Sequence, residues 1–483
     1  MLLSKFGGKE LVNLNDGSRL GLIEDADLLV DEETGSIDSF IIFENRLFFK
    51  NERNGYKIPW NAIRKIGNDM VIVEIEDKKK YWTYRWFNLK KIVLKFGGVI
   101  LSNKTMRLKA VDQVHKFYSK GYVPIVVVSA LGRYGDPYST DTLIHLTKEI
   151  NNKVEPRELD LIMSCGEIIS SVLFHTELMN LDIPSIALTG GQAGIITDDN
   201  FSNAAVIKLD EQNLLNIINK GTVPIISGFQ GETEDKEITT LGRGTSDYTA
   251  SLLGAKLKAE KILIFKDVDG LMSADPKIVT DARNIKHISY EDVFQMAEFG
   301  AKVIHPLAVE TAMKAGIPII LKNIMDDDKY TLIDKTKSDE LISAVTYMSN
   351  RVQYIIDNTG KVSKNMAGKI FKNLADHGIS IDLISILPDR KIFIVDNDSA
   401  KVTSDILKQY SLNYHKQDHL VKVSVIGCRM RGVPGIMAKI IRSFSENGIE
   451  ILQTADSHNS ISCLVKEKDY EKAVKLLYNI FRV

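Results

Sequence analysis

Thr239-Thr240-Leu241-Gly242-Arg243-Gly244-Thr245-Ser246-Asp247-Tyr248-Thr249-Ala250 leaves a loop and enters a helix. Two glycines flank Arg243, so the backbone can pass close to a ligand with no Cβ in the way. Thr245 or Ser246 can cap a helix that continues through residues 248–253. The unpaired N–H groups of its first turn and the positive end of its dipole suit an anion. Arg243 adds a planar fork matched to a carboxylate or a phosphate. Asp247, one helical turn further on, can reach the same pocket. Taken alone, the stretch also fits a capped surface helix with an incidental ion pair. Its surroundings decide between the two.

Around it, from residue 89 to about 335, apolar strands alternate with helices. The strands are expected at 92–95, 124–129, 185–188, 224–227, 262–265 and 318–321. This predicts an α/β domain with a mostly parallel sheet, whose ligands bind beyond the carboxyl ends of the strands. The informative residues fall there. Lys95-Phe96-Gly97-Gly98 follows the first strand and precedes a helix expected over 103–118. Such a junction can cradle phosphate on backbone N–H groups, with Lys95 as a point charge. Ser129-Ala130-Leu131-Gly132 follows the second strand, with Thr140-Asp141 beyond it. Phe229 follows another, and Lys266-Asp267-Val268-Asp269-Gly270 a fourth. Cys165-Gly166-Glu167 lies instead within a helical pattern. The same tetrapeptide occurs at Lys5-Phe6-Gly7-Gly8 without a preceding strand, and reads there as surface.

Residues 1–88 form a small β-rich domain, with strands expected at 20–23, 39–43, 47–50 and 71–73 and turns at Asn15-Asp16-Gly17, Glu33-Thr34-Gly35 and Asn54-Gly55. Asn15-Asp16-Gly17-Ser18-Arg19-Leu20-Gly21 with residues 25–31, and Ile58-Pro59-Trp60-Asn61-Ala62-Ile63-Arg64-Lys65-Ile66-Gly67, resemble the PRC-barrel family. That resemblance implies a small β-barrel serving as a docking or regulatory module. In residues 340–483 one pattern occurs twice. Residues 365–371 lead to His377-Gly378-Ile379, and residues 432–440 lead to Asn447-Gly448-Ile449. Each reads as a glycine turn, a helix, Gly-Ile and a strand. The pair resembles two interleaved ACT domains, α+β modules that bind free amino acids; a dimerisation domain without a ligand would look the same.

Residues 89–483 resemble aspartokinases of the amino acid kinase family. The likeness rests on Lys95-Phe96-Gly97-Gly98, Ser129-Ala130 with Thr140-Asp141, Gly166-Glu167, residues 239–250, Asp267-Val268-Asp269-Gly270 with Asp275-Pro276, and Phe299-Gly300-Ala301-Lys302-Val303-Ile304-His305-Pro306. Gly135-Asp136-Pro137-Tyr138 and Gln453-Thr454-Ala455-Asp456-Ser457-His458 are similar to the bacillar, diaminopimelate-sensitive type. The resemblance implies transfer of the γ-phosphoryl of ATP, with Mg²⁺, to the β-carboxylate of L-aspartate. It implies Lys95 and Asp247 as catalytic residues, and Thr140, Glu167, Phe229, Thr240 and Arg243 as aspartate contacts. Lys95, Gly97, Gly98, Lys266, Asp267, Met272, Lys277 and Lys302 would face ATP. A feedback amino acid (diaminopimelate, lysine or threonine) would meet Met366, Ala367, Asp382, Gln453 and Thr454. No protein metal cage is expected, and a homodimer or higher homo-oligomer is.

The chain departs from that pattern on the nucleotide side. Val99 stands where the family has Thr, Lys266 where it has Thr, Met272 where it has Tyr, and Lys277 where it has Arg. A catalytically impaired amino-acid sensor on the same fold, and an amino acid kinase for another acceptor, are therefore the alternatives. The composition is that of a soluble globular protein, 44% apolar and 26% charged over 483 residues. Lys and Arg number 62 and Asp and Glu 63, which gives no field for nucleic acid or an anionic membrane. Cys165, Cys428 and Cys463 lack Cys-x-x-Cys spacing, which argues for a reducing compartment and against zinc or disulfides. Residues 1–10 have no signal-peptide core and no apolar run of spanning length is expected, so a cytoplasmic location is.

Overall fold

The computed structural model describes residues 8–23, 26–30, 36–43, 55–74, 90–301, 303–337, 340–357, 364–410, 412–427, 430 and 432–481. The chain divides into two compact units, Met1–Gly242 with Lys256–Glu260, and Arg243–Ala255 with Lys261–Val483.

The first unit begins with two antiparallel-rich sheets. One holds Lys9–Asn13, Arg19–Ile23, Ile63–Ile66 and Met70–Val73, the other Ala26–Val30, Ile37–Phe43 and Gly55–Pro59. Together they are the expected N-terminal β-barrel module. The strand expected at 47–50, Lys5 to Gly7, and the turn at 33–35 lie outside the described residues.

A parallel sheet follows, built of β1 (Lys91–Phe96), β2 (Val123–Val128), β3 (Ser185–Leu188) and β4 (Val223–Ser227) in the order β3-β4-β2-β1. β2 and β4 are buried along their whole length, as parallel strands covered on both faces must be. The runs Val-Pro-Ile-Val-Val-Val and Val-Pro-Ile-Ile-Ser carry that requirement. The expected spans 92–95, 124–129 and 224–227 agree with these to within a residue at each end.

Helices α1 (Gly98–Ser102), α2 (Lys104–Ser119), α3 (Thr140–Ile150) and α4 (Pro156–Met179) follow the strands. Asn103 caps α2 by accepting from the Met106 amide at 3.0 Å, and Ser139 caps α3. At 24 residues α4 is long and apolar enough to cross a membrane by length and composition, which corrects the expectation that no such run exists. Its apolar content has a local cause: α4 packs on β3 and β4, and its inner face buries Phe174 and Leu178. Asp160 and Glu167 are buried on the same helix.

The second unit contains α5 (Ser246–Leu257, of which residues 246–255 belong here), β5 (Lys261–Lys266), β6 (His287–Ser289), α6 (Tyr290–Glu298), β7 (Ile319–Asn323) and β8 (Tyr330–Asp334). Their strands run in the order β5-β7-β8-β6, with only β7–β8 antiparallel.

Two β-α-β-β-α repeats come next in this unit. The first is β9 (Ala344–Asp357), α7 (Lys364–Asp376), β10 (Asp382–Ile386), β11 (Arg390–Asp396) and α8 (Ala400–Gln409). The second is β12 (Tyr414–Ile426), α9 (Ile436–Glu446), β13 (Gln453–Asp456), β14 (Ser460–Lys466) and α10 (Tyr470–Phe481). They share one antiparallel sheet in the order β10-β11-β9-β12-β14-β13. Helices α7 and α9 are strongly amphipathic, and a half-apolar helix must bury its stripe against a sheet. The core beneath the second repeat includes Val421, Val423, Phe444, Leu477 and Tyr478, and it also takes in Ala274, Ile278 and Val279 from the segment between β5 and β6.

Candidate active site

In the first unit the site is built around Ala130, in the loop after β2. The Ala130 amide donates to Glu167 Oε1 at 3.0 Å. Two helices come close to this loop because each presents a glycine. A Cβ on Gly98 would lie 2.4 Å from the Ala130 carbonyl oxygen, and one on Gly166 would lie 2.7 Å from the Ala130 Cβ. Backbone cannot yield to such contacts as a flexible side chain can. Gly98 is therefore required for packing, independently of any phosphate, and Gly97 precedes it as the N-cap of α1.

Glu167 is fully buried, and its Oε2 has no hydrogen-bond partner among the described residues. Burial pushes its carboxyl up to about 8, against the Ala130 amide and the positive charge of Lys95, which both pull it down. Lys95, itself buried at the end of β1, is thus within electrostatic reach of Glu167. The Glu167 side chain therefore points inward from α4.

Asp160 is a functional-region residue that sequence reasoning missed. It is wholly buried two turns before Glu167 on α4, and accepts four hydrogen bonds. Thr240 gives two, from its amide at 2.7 Å and its hydroxyl at 2.8 Å. Ser202 gives the other two, at 2.8 and 3.2 Å. Thr240 therefore has its hydroxyl proton committed to Asp160. Two carboxylates seven residues apart in an apolar helix were the available signal, since both lie on one face. Phe229 follows β4 with φ at 70° and its carbonyl accepts from the Leu241 amide at 2.9 Å. A buried non-glycine residue in the left-handed region is strained, a feature that gathers at functional sites. Thr140 opens α3.

In the second unit, Arg243 is exposed between Gly242 and Gly244, whose φ values of 90° and 80° are those the two glycines permit. Helix α5 starts at Ser246, which leaves Thr245 at the capping position. Asp247, in its first turn, is buried and receives Lys266 Nζ on Oδ2 at 2.9 Å. This pair joins residues far apart in sequence, and only the fold brings them together. His305 feels the Asp247 charge, and burial lowers its imidazole below the usual value. Its Nδ1 accepts from the Leu307 amide at 3.3 Å and caps the helix Pro306–Ala315, a structural role.

Asp267 is exposed after β5, while Asp269 is engaged by Asn323 at 2.8 Å and Lys329 at 3.5 Å, as a turn residue would be. Met272 is half-buried and Lys277 exposed. Asp275 between them accepts from the Tyr347 hydroxyl at 2.9 Å, which ties this loop to β9. Lys302 lies outside the described residues. Among the described residues, no three His, Cys, Asp or Glu side chains converge on a cation position.

Of the residues expected to meet a feedback ligand, Asp382 opens β10 and is ion-paired with Lys422, a wholly buried lysine on β12. The Lys422 ammonium also sits 4.4 Å from the centroid of the Phe299 ring, at the end of α6. Gln453 is buried on β13; it donates to the Leu383 carbonyl and, at 3.0 Å, to Ser385 Oγ. Thr454 is exposed and Ala367 half-buried, while the Met366 side chain is outside the described set.

Comparison with known proteins adds the family. The amino acid kinase family model matches residues 90–323, the ACT domain model residues 416–479, and the PRC-barrel domain model residues 1–79. Aspartokinase 1 of Bacillus subtilis is 38% identical over 404 residues, which is 82% of this chain and 100% of that protein. The aspartokinase of Geobacillus stearothermophilus is 34% identical over 399 residues, 81% and 97% of the two chains. Among solved structures, Escherichia coli aspartokinase III with aspartate and ADP superposes with a TM-score of 0.70 at 24% identity, over 81% of this chain and 100% of that one. The same enzyme with lysine and aspartate gives 0.63 at 24%, over 81% and 99%. These two likenesses show a shared fold.

Proposed function

The chain belongs to the aspartokinases, and we propose the following division of labour among its own residues. The reaction is the family's: ATP-dependent phosphorylation of the β-carboxylate of L-aspartate to 4-phospho-L-aspartate, the first step toward diaminopimelate and lysine, threonine and methionine, with feedback control through the ACT region.

The nucleophile needs no general base, since a carboxylate with a pKa of about 3.9 is ionised at neutral pH. The work is to bring two anions into line and to stabilise charge on the transferring phosphoryl. Lys95 supplies that charge, and the backbone around Gly97 and Gly98 supplies donors. Glu167 takes the α-ammonium of aspartate. Arg243 holds the α-carboxylate bidentately, and Asp247 orients the substrate. Thr140, Phe229 and Thr240 complete the aspartate contacts. Lys266, Asp267, Met272, Lys277 and Lys302 face the nucleotide. Mg²⁺ would come with ATP, held largely by the nucleotide's phosphates, and would supply neutralising charge there. The observation that supports this assignment most is the buried Glu167 with an unpartnered Oε2 beside a buried Lys95. A buried carboxylate with spare acceptor capacity fits an incoming ammonium.

Diaminopimelate is the first-choice effector, then lysine, then threonine, bound near Met366, Ala367, Asp382, Gln453 and Thr454. The enzyme acts in the cytoplasm as a homodimer or higher homo-oligomer, and its N-terminal barrel docks a protein partner. The test is aspartyl phosphate formation, trapped as the hydroxamate, with each of the three amino acids added in turn. Turnover depressed by one of them is the expected result. Absence of turnover while calorimetry still detects aspartate binding would transfer the chain to the sensor reading.

Val99, half-buried in the first turn of α1, replaces a hydroxyl near the phosphates with an apolar group. Val99→Thr is expected to lower KM for ATP by roughly three- to tenfold, the worth of one hydrogen bond. An unchanged KM for ATP would remove the hydroxyl from the account.

A further inference from the structure

Lys266 is the last residue of β5, and its ammonium donates to Asp247 Oδ2 at 2.9 Å. The Asp247 side chain is 4% exposed and that of Lys266 21%, so the pair is shielded on the acid side and reachable on the other. Asp247 lies in the first turn of α5, where the helix dipole is positive, and this lysine places a second positive charge against it. A bare carboxylate here would oppose the reaction, because both substrates are anions that must approach one another. A cation at hydrogen-bonding distance cancels that charge and fixes the direction of Oδ2.

We propose that Lys266 is a positioning residue of the phosphoryl transfer, which holds and neutralises Asp247 and so acts on aspartate rather than on the nucleotide. The inference rests on the substrate-orienting role given above to Asp247, and it replaces the nucleotide contact given there to Lys266.

A double-mutant cycle of full-length native, Lys266→Thr, Asp247→Asn and doubly substituted protein tests it, with kcat and both KM values measured for each. Lys266→Thr is expected to lower kcat/KM for aspartate by about tenfold or more and to leave KM for ATP within about twofold. In the Asp247→Asn background the same change should have almost no further effect, because the group it serves has gone. Lys266→Arg should restore most of the loss, which a packing defect would not allow. If Lys266→Thr does not fold, Lys266→Met keeps the stem and removes only the charge. Losses that multiply in the double variant, or a loss confined to KM for ATP, would overturn the inference and leave Lys266 on the nucleotide. A harmless Asp247→Asn would instead overturn the orienting role of Asp247 itself.

Discussion

Lys95→Met should lower kcat by about a thousandfold, the scale seen when one preorganised charge donor is taken from a transition state. Lys95 is buried, so its ammonium works in a low-dielectric setting where its charge is worth more than in water. Methionine keeps the length and apolar stem of the side chain, which limits the packing loss. A second effect follows from the same charge. Lys95 helps to hold the Glu167 carboxyl down, so its removal should move the pH dependence of aspartate use upward. Rate and pH profile of the variant, read by ADP release, check both parts. A kcat within tenfold of native would take Lys95 out of the transition state.

Glu167→Gln is expected to raise KM for aspartate by about a hundredfold, equivalent to about 2.7 kcal/mol at 1.36 kcal/mol per factor of ten. Only the ionised carboxylate pairs with an ammonium, and burial lifts the group to about 8. In the native enzyme kcat/KM for aspartate should therefore climb with pH through about 8 and level off above it. In the glutamine variant that climb should be absent. The stability of the free protein moves the other way. Between the ordinary carboxylate range and about 8, the folded state holds a proton at Glu167 that the unfolded chain has lost. Folding then binds more protons, and stability falls as pH rises through that window. Aspartate should offset the fall by bringing its own cation. Thermal melting of native protein and variant from pH 5 to 8.5, with and without aspartate, reads this directly. Parallel melting curves for the two proteins would contradict it.

Much of the fold was legible because its strands are buried on both faces and read as continuous apolar runs, as at 123–128 and 223–227. Three-residue strands such as Ile195–Thr197 and Gln230–Glu232 offer too few residues for a period to show. The candidate site was legible where glycines and charged groups share a short motif. Pairings across long separations were not. Asp160 to Thr240, Lys266 to Asp247 and Lys422 to Asp382 each join different elements, and no local pattern encodes them. The meaning of Gly98 was also only half visible. Sequence shows a glycine beside a lysine, whereas the approach of the Ala130 carbonyl shows why no methyl fits there.

The hydrophobic core beneath the second repeat takes Ala274, Ile278 and Val279 from the loop that also carries Met272 and Lys277. That loop cannot open locally without baring the apolar floor on which Phe444 and Tyr478 rest. Its fluctuations are therefore priced at the cost of disturbing the regulatory repeat, which moves it from the labile end of the protein's opening spectrum toward the resistant end. Slow hydrogen exchange in this loop would be inherited from the second repeat. A chain ending before β12 would lose the repeat and the rigidity of the loop in one step.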